Sequence, residues 1–276
     1  MTNEVSPEPA SLPADQFIIT REHRRFTEFC DACRDHRYIG VCYGVPGVGK
    51  TMSAREYANW VELESVLGPA PHRRGGHPAR DSGPWRTVLY TPEVVNTPRT
   101  VQRDVDNAWG RVFSLAAGSS WYAARDDNLD PRPPDLVIVD EADRLKTASL
   151  EQLRDMYDRR HIGLVLIGMP GLQKRLARYP QLSSRVGFVH HYQPLSGREL
   201  QQVIERQWVQ LRLDGSFEDG VDAAVVNAIA RITGGNFRLV DRLFAEIERV
   251  MMVNRLPTLT TEVVAFARES LAIGAS

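Results

Sequence analysis

The sequence predicts an α/β fold: a parallel phosphate-loop sheet with helices on both faces, followed by a small α-helical lid. Three observations predict it. Short apolar runs such as "YIGVCYG", "LVIV" and "IGLVLIG" alternate with longer stretches of helical periodicity, the order expected of a sheet buried on both faces. The stretch "GVPGVGKT" at 44–51 lies between the first apolar run and the first helix that follows one. From Ser196 onward the strand pattern stops and only helical stretches remain.

The elements follow in order. Thr20 caps a helix running to about His36, with Phe26 and Phe29 placed after a charged first turn. "YIGVCYG" is the first buried strand and "TMSAREYANWVELESVL" the helix after the glycine-rich loop. "GPAPHRRGGHPARDSGPW" is a surface loop or partly disordered insertion at about 68–86, rich in Gly, Pro and basic residues. "RTVLYTP" is a second strand and "PRTVQRDVDNAWGRVF" the helix behind it. In "PPDLVIVDEADRL" the apolar residues Leu136 to Val139 run into two acids, so a buried parallel strand delivers carboxylates at its C-terminal end. "SLEQLRDMYDRRH" is an amphipathic helix, "IGLVLIGMPG" a buried strand and "FVHHYQPL" a short last strand. Four helices close the chain: "GRELQQVIERQWVQL", "DAAVVNAIARITGG", "NFRLVDRLFAEIERVMMVN" and "TTEVVAFARESL". The expected organisation is a mobile tail over 1–16, an α/β body over 17–194 and a helical lid over 195–276.

Composition narrows the class. With 42% hydrophobic and 25% charged residues in 276, the chain reads as a soluble globular protein. A net charge of −1 carries no global nucleic-acid signature, so any such binding comes from a local patch or from repetition of subunits. No apolar run spans a bilayer, and the start "MTNEVSPEPASLPADQ" lacks a signal-peptide core. The expected location is the cytoplasm, with no membrane partner. Cys30 and Cys33 form a C-x-x-C pair, but it sits inside a helical pattern with no second ligand pair nearby. Core packing is favoured there over zinc or redox chemistry.

The chemistry concentrates in two motifs. "GVPGVGKT" matches G-x-x-x-x-G-K-[ST], with Gly44, Gly49, Lys50 and Thr51 at the fixed places. Val45, Pro46, Gly47 and Val48 complete the loop, and Met52 follows it. Glycines let backbone N–H groups turn inward and form a nest for phosphate oxygens. Lys50 is expected to reach the terminal phosphates and the Thr51 hydroxyl to ligate Mg²⁺. The flanking strand and helix place those phosphates at a helix N-terminus. Asp140 and Glu141 end another of the strands: Asp140 holds the Mg²⁺ shell, and Glu141 orients and polarises the attacking water. "DEAD" also suits a plain acidic helix start. Both motifs in order, each at a strand end, favour binding and hydrolysis of Mg-ATP.

On "GVPGVGKT", "LVIVDEADRL", "GLVLIGMPGLQKRL", "SSRVGF" and "TGGNFRLVDRL" the chain resembles the AAA+ ATPases, over roughly residues 17 to 250. Within them it looks like the transposition-regulator group of TnsC, TniB and MuB, to which ATPases of the ExeA type are related. The resemblance implies an ATPase that oligomerises with ATP on duplex DNA, as a filament or a closed ring, and recruits or activates a transposase. Met169 stands where the family often has a polar sensor, which implies slow turnover. Arg185 matches the arginine projected into a neighbour's nucleotide. A surface arginine paired with an acid weighs evenly against that role, and Arg175 and Arg178 lie close by. Arg238 matches the lid arginine that contacts the γ-phosphate of its own subunit, with Gly234 and Gly235 as the turn before it.

The same resemblance puts DNA contacts just after the second strand, in "TPEVVNTPRTVQRD". There Arg99 and Arg103, with Thr97 or Thr100, are expected to meet phosphates without reading sequence, a weak patch multiplied by repetition. A solvated helix face is the other reading. An ATPase acting on protein complexes without DNA, ExeA-like or signalling, is the alternative that the near-neutral charge favours. An initiator of the Orc/Cdc6 kind is disfavoured, because only about twenty-five residues follow "ERVMM".

Overall fold

The computed structural model describes residues 17–60, 63, 86–117, 133–210 and 222–271. The expected tail 1–16 and the Gly/Pro-rich stretch 68–85 lie outside the described residues. Strands β1 (Ile39–Tyr43), β2 (Thr87–Tyr90), β3 (Leu136–Val139), β4 (Gly163–Gly168) and β5 (Val186–His191) form one sheet in the order β2-β3-β4-β1-β5. Every pairing is parallel. Helices α1 (Arg21–His36) and α2 (Lys50–Tyr57) cover one face, and α3 (Pro98–Ala117) and α4 (Thr147–Arg160) the other.

The two faces explain the continuous apolar runs. Side chains alternate along a strand, so Val137, Val139, Leu164 and Leu166 meet Val101, Val105 and Trp109 of α3 and Leu150 and Leu153 of α4. Leu136, Ile138, Val165 and Ile167 point the other way, onto Phe26, Phe29, Cys30 and Cys33 of α1. The edge strand β5 is half-exposed and alternating, so it begins two residues before its apolar run does. Two short helices, α5 (Leu172–Leu176) and α6 (Pro180–Ser183), precede it and are too brief for periodicity to announce.

The cysteines belong to this core. Cys30, Cys33 and Cys42 are free and buried. Burial raises all three thiol pKa values, that of Cys33 to about 12.

Contacts divide the chain into two compact units. One is α/β and comprises Arg21–Leu195 together with Gly234–Leu239. The other is helical, built from α7 (Gly197–Gln210), α8 (Ala223–Thr233), most of α9 (Phe237–Asn254) and α10 (Thr261–Ser270). In α9 Val240, Leu243, Phe244, Ile247, Val250 and Met251 form the apolar stripe of an amphipathic helix. Among the described residues no helix is long and apolar enough to cross a membrane.

Leu166 is fully buried in β4, a strand with a neighbour on each side. Leu166→Ala should therefore cost about 2–5 kcal/mol of stability, read as a lower urea midpoint. A midpoint equal to wild type contradicts the two-faced core.

Candidate nucleotide site

The glycine-rich loop leaves β1 beside β4, where Gly44 N–H donates to the Gly168 carbonyl at 3.4 Å. Gly47 and Gly49 have φ of 84° and 108°, values that side-chain-bearing residues rarely adopt. Lys50 opens α2 and is buried. Its Nζ donates to the carbonyls of Gly44 at 2.6 Å and Val45 at 2.9 Å. Burial lowers its pKa; Cys42, Asp140 and Asp143 oppose that shift, and the Arg238 guanidinium adds to it. A buried cation facing a second cation is an environment that an anion relieves. Val45, Pro46, Thr51 and Met52 are exposed. The Val48 side chain instead enters the core under α1, so only its backbone is available to a ligand.

The two motifs meet through one hydrogen bond. Thr51 Oγ1 donates to Asp140 Oδ2 at 2.6 Å, and Asp140 is buried. A hydroxyl touching a carboxylate is an oxygen donor set of the kind that suits Mg²⁺, which takes one or two protein oxygens and completes its shell with phosphates and water. Among the described residues no group of three or more His, Cys, Asp or Glu could hold a metal.

Glu141 stands next to them with a left-handed backbone, φ 51° and ψ 43°. Its carboxylate pairs with Arg144, whose Nη1 also donates to the Pro92 carbonyl at 2.9 Å. Nothing in "DEADR" announces this pairing beyond the i,i+3 spacing. The third acid of the motif, Asp143, accepts the Met169 N–H at 2.6 Å. The polar group at the tip of β4 is thus a carboxylate from the neighbouring turn.

Arg238 is exposed, and its backbone N–H donates to the Gly47 carbonyl at 3.1 Å. Arg185 immediately precedes β5, whose first residue pairs with Ile39 at the start of β1. That is the end of the sheet opposite the phosphate loop, and there Arg185 Nε donates to Asp158 at 2.6 Å. Arg175 is tied to the carbonyls of Asp143 and Leu145, and Arg178 is exposed. Arg99 and Arg103 are both exposed on α3, but Arg103 is paired with Asp104 at 2.9 Å. Thr97 and Thr100 bond to each other in the first turn of that helix. Sequence reading missed Asn236, whose Nδ2 donates to the Pro46 carbonyl at 2.7 Å. It also missed Ser53, buried one turn into α2 and bonded to His23 and Tyr192.

A phosphate loop and an acidic strand end on a parallel sheet of this order define a P-loop α/β nucleotide-binding protein. Residues 33–176, more than half of the chain, match the family described as AAA domain. The chain belongs to that family and is an AAA+ ATPase. Over 268 residues it is 42% identical to a Staphylococcus aureus protein described as a potential ATP-binding protein, covering 94% of this chain and 97% of that one. It is 26% identical over 246 residues to the Mu-like prophage FluMu DNA transposition protein B of Haemophilus influenzae, covering 85% of this chain and 73% of that one. The fold is similar to the RuvB Holliday junction branch migration motor of Thermotoga maritima, with TM-score 0.56 at 18% identity over 96% of this chain and 73% of that one. It is also similar to the Aeropyrum pernix ORC1 protein in complex with DNA, with TM-score 0.55 at 18% identity over 91% of this chain and 65% of that one.

The lowered pKa of Lys50 has a sign that can be measured. Folding disfavours its charged form, and that cost is complete at neutral pH and disappears as pH rises toward the ordinary lysine value of 10.5. Relative to wild type, nucleotide-free Lys50→Met should therefore be more stable at pH 7 than at alkaline pH, the difference in melting temperature falling as pH rises toward 10.5. It should also abolish stabilisation by ATP. Differential scanning fluorimetry across pH reads both; a variant still stabilised by ATP removes Lys50 from the site.

Proposed function

We propose that this AAA+ ATPase is a regulator of DNA transposition in the cytoplasm, which assembles with ATP on duplex DNA and recruits or activates a transposase there. The observation that carries this reading is the likeness to a DNA transposition protein B over 85% of the chain. In this reading the phosphates rest in the loop 44–51 against Lys50, and Thr51 and Asp140 hold Mg²⁺, which neutralises phosphate charge when bound. Glu141 leaves Arg144 to orient and polarise the attacking water. Arg238 meets the γ-phosphate of its own subunit, the lid being 195–276. Arg185, at the far end of the sheet from its own loop, exchanges Asp158 for a neighbour's nucleotide. Met169 supplies no polar side chain to the γ-phosphate, and turnover is slow.

Arg99 and Arg103 lie four residues apart on α3 and so share a face. Both meet the phosphate backbone within a repeating assembly, Arg103 on parting from Asp104. An ATPase of protein complexes without DNA is the second reading, favoured by the net charge of −1 and by that ion pair.

Two variants test the ATPase roles. Glu141→Gln should keep ATP affinity, lower turnover by about a hundredfold or more, and leave ATP-bound assemblies on DNA in negative-stain micrographs. Arg185→Ala should spare ATP binding by the isolated subunit yet depress assembly and hydrolysis together.

In fluorescence anisotropy on random-sequence duplexes, binding should need ATP and weaken steeply with salt. Changing Arg99 and Arg103 together to Ala should flatten the slope of log affinity against log salt by roughly 0.9 for each phosphate no longer neutralised. Unchanged affinity sinks that surface; no DNA binding by wild type with any nucleotide favours the second reading.

A further inference from the structure

The turn "TGGN" and the residues after it hold the phosphate loop from outside, through contacts that none of the roles above uses. Gly234 and Gly235 have φ of 55° and 77°. The Gly235 carbonyl accepts the Leu195 N–H at 2.9 Å, and a Cβ on Gly235 would fall 2.4 Å from the Leu195 carbonyl oxygen. This close approach fixes where the next residue starts. Asn236 Nδ2 donates to the Pro46 carbonyl at 2.7 Å, while its Oδ1 accepts the Leu239 N–H at 3.3 Å and so caps α9. Arg238 N–H takes the next carbonyl, that of Gly47, at 3.1 Å.

Two successive loop carbonyls are therefore bound by one short segment. In a planar trans peptide the C=O of one residue and the N–H of the next point in opposite directions. Holding the Pro46 and Gly47 oxygens turns the N–H groups of Gly47 and Val48 away from Asn236. We propose that Asn236 is a positioning residue for nucleotide binding: its amide sets the Pro46–Gly47 peptide plane, and its cap sets the first turn whose Arg238 N–H sets the Gly47–Val48 plane, so that the N–H groups of both planes meet phosphate. The proposal rests on the reading of 44–51 as the phosphate loop. A nest ordered before the ligand arrives loses less entropy on binding, so the contribution falls on nucleotide affinity.

Asn236→Asp separates the latch from the cap. Asp caps helices as well as Asn, but it has no N–H for Pro46 and sets a negative charge against a carbonyl oxygen. The contact is solvent-exposed, so the variant should lower the nucleotide-free melting temperature only slightly while it binds a fluorescent ATP analogue about tenfold more weakly. Arg238→Ala should weaken binding in wild type and add little when combined with Asn236→Asp, because the two residues act as one unit. If the Asp variant melts early, Asn236→Ser, a cap too short to reach Pro46, is read in its place. Wild-type affinity in these variants, additive losses with Arg238→Ala, or stability losses that match the affinity losses in both overturn the proposal. Wild-type protein that fails to bind the analogue, with Lys50→Ala no different from it, overturns the phosphate-loop reading instead.

Discussion

The hydrogen bond between Thr51 and Asp140 joins residues 89 positions apart, and most of the α/β unit is arranged so that it can form. Thr51 must stand at the start of a helix, directly off the end of β1, and Asp140 must stand one residue past β3. The two strands are not neighbours; β4 lies between them, level with Tyr43 through Gly168 and with Val139 through Leu166. A slip of one residue in either pairing would turn Asp140 to the other face of the sheet. The register is held by the apolar side chains on both faces, so the core and the site depend on each other.

That arrangement buries charge. Lys50 and Asp140 are both among the buried residues, and neither is solvated as a free ion would be. Lys50 is accommodated by carbonyls that the loop bends toward it and by acids nearby. Asp140 accepts the Thr51 hydroxyl and the Glu141 N–H. Buried polar groups left without such partners are costly, and the left-handed backbone at Glu141 belongs to the same turn that brings its N–H to Asp140. Local strain and charge burial therefore collect where chemistry is expected.

The strands are legible in the sequence because a sheet buried on both faces needs contiguous apolar residues, as in "LVIV". Lys50, Thr51 and Asp140 are legible because their spacing is set by local geometry, a loop that must turn and a strand that must end. The partnerships are not. Glu141 with Arg144, Asp143 with the Met169 N–H, Arg185 with Asp158 and Asn236 with Pro46 depend on how side chains settle or on elements far apart in the chain. Val48 shows the same limit within the motif itself, since a variable position of the loop anchors in the core. The pairing of Arg103 with the adjacent Asp104 is open to inspection in the sequence and bears directly on how available that arginine is.

The three cysteines give the molecule an internal reporter. Cys30 and Cys33 lie on the inner side of α1, and Cys42 sits on the strand beneath it, all within one cluster that also contains Val48 and Ala54. Their thiols are shielded and hard to ionise, and thiolate is the form that alkylating reagents attack. Labelling must then wait for α1 to part from the sheet. The rate of thiol modification in the unaltered protein is a clock for opening of that face, the face on which the phosphate loop and its helix are anchored, with no label engineered into the chain.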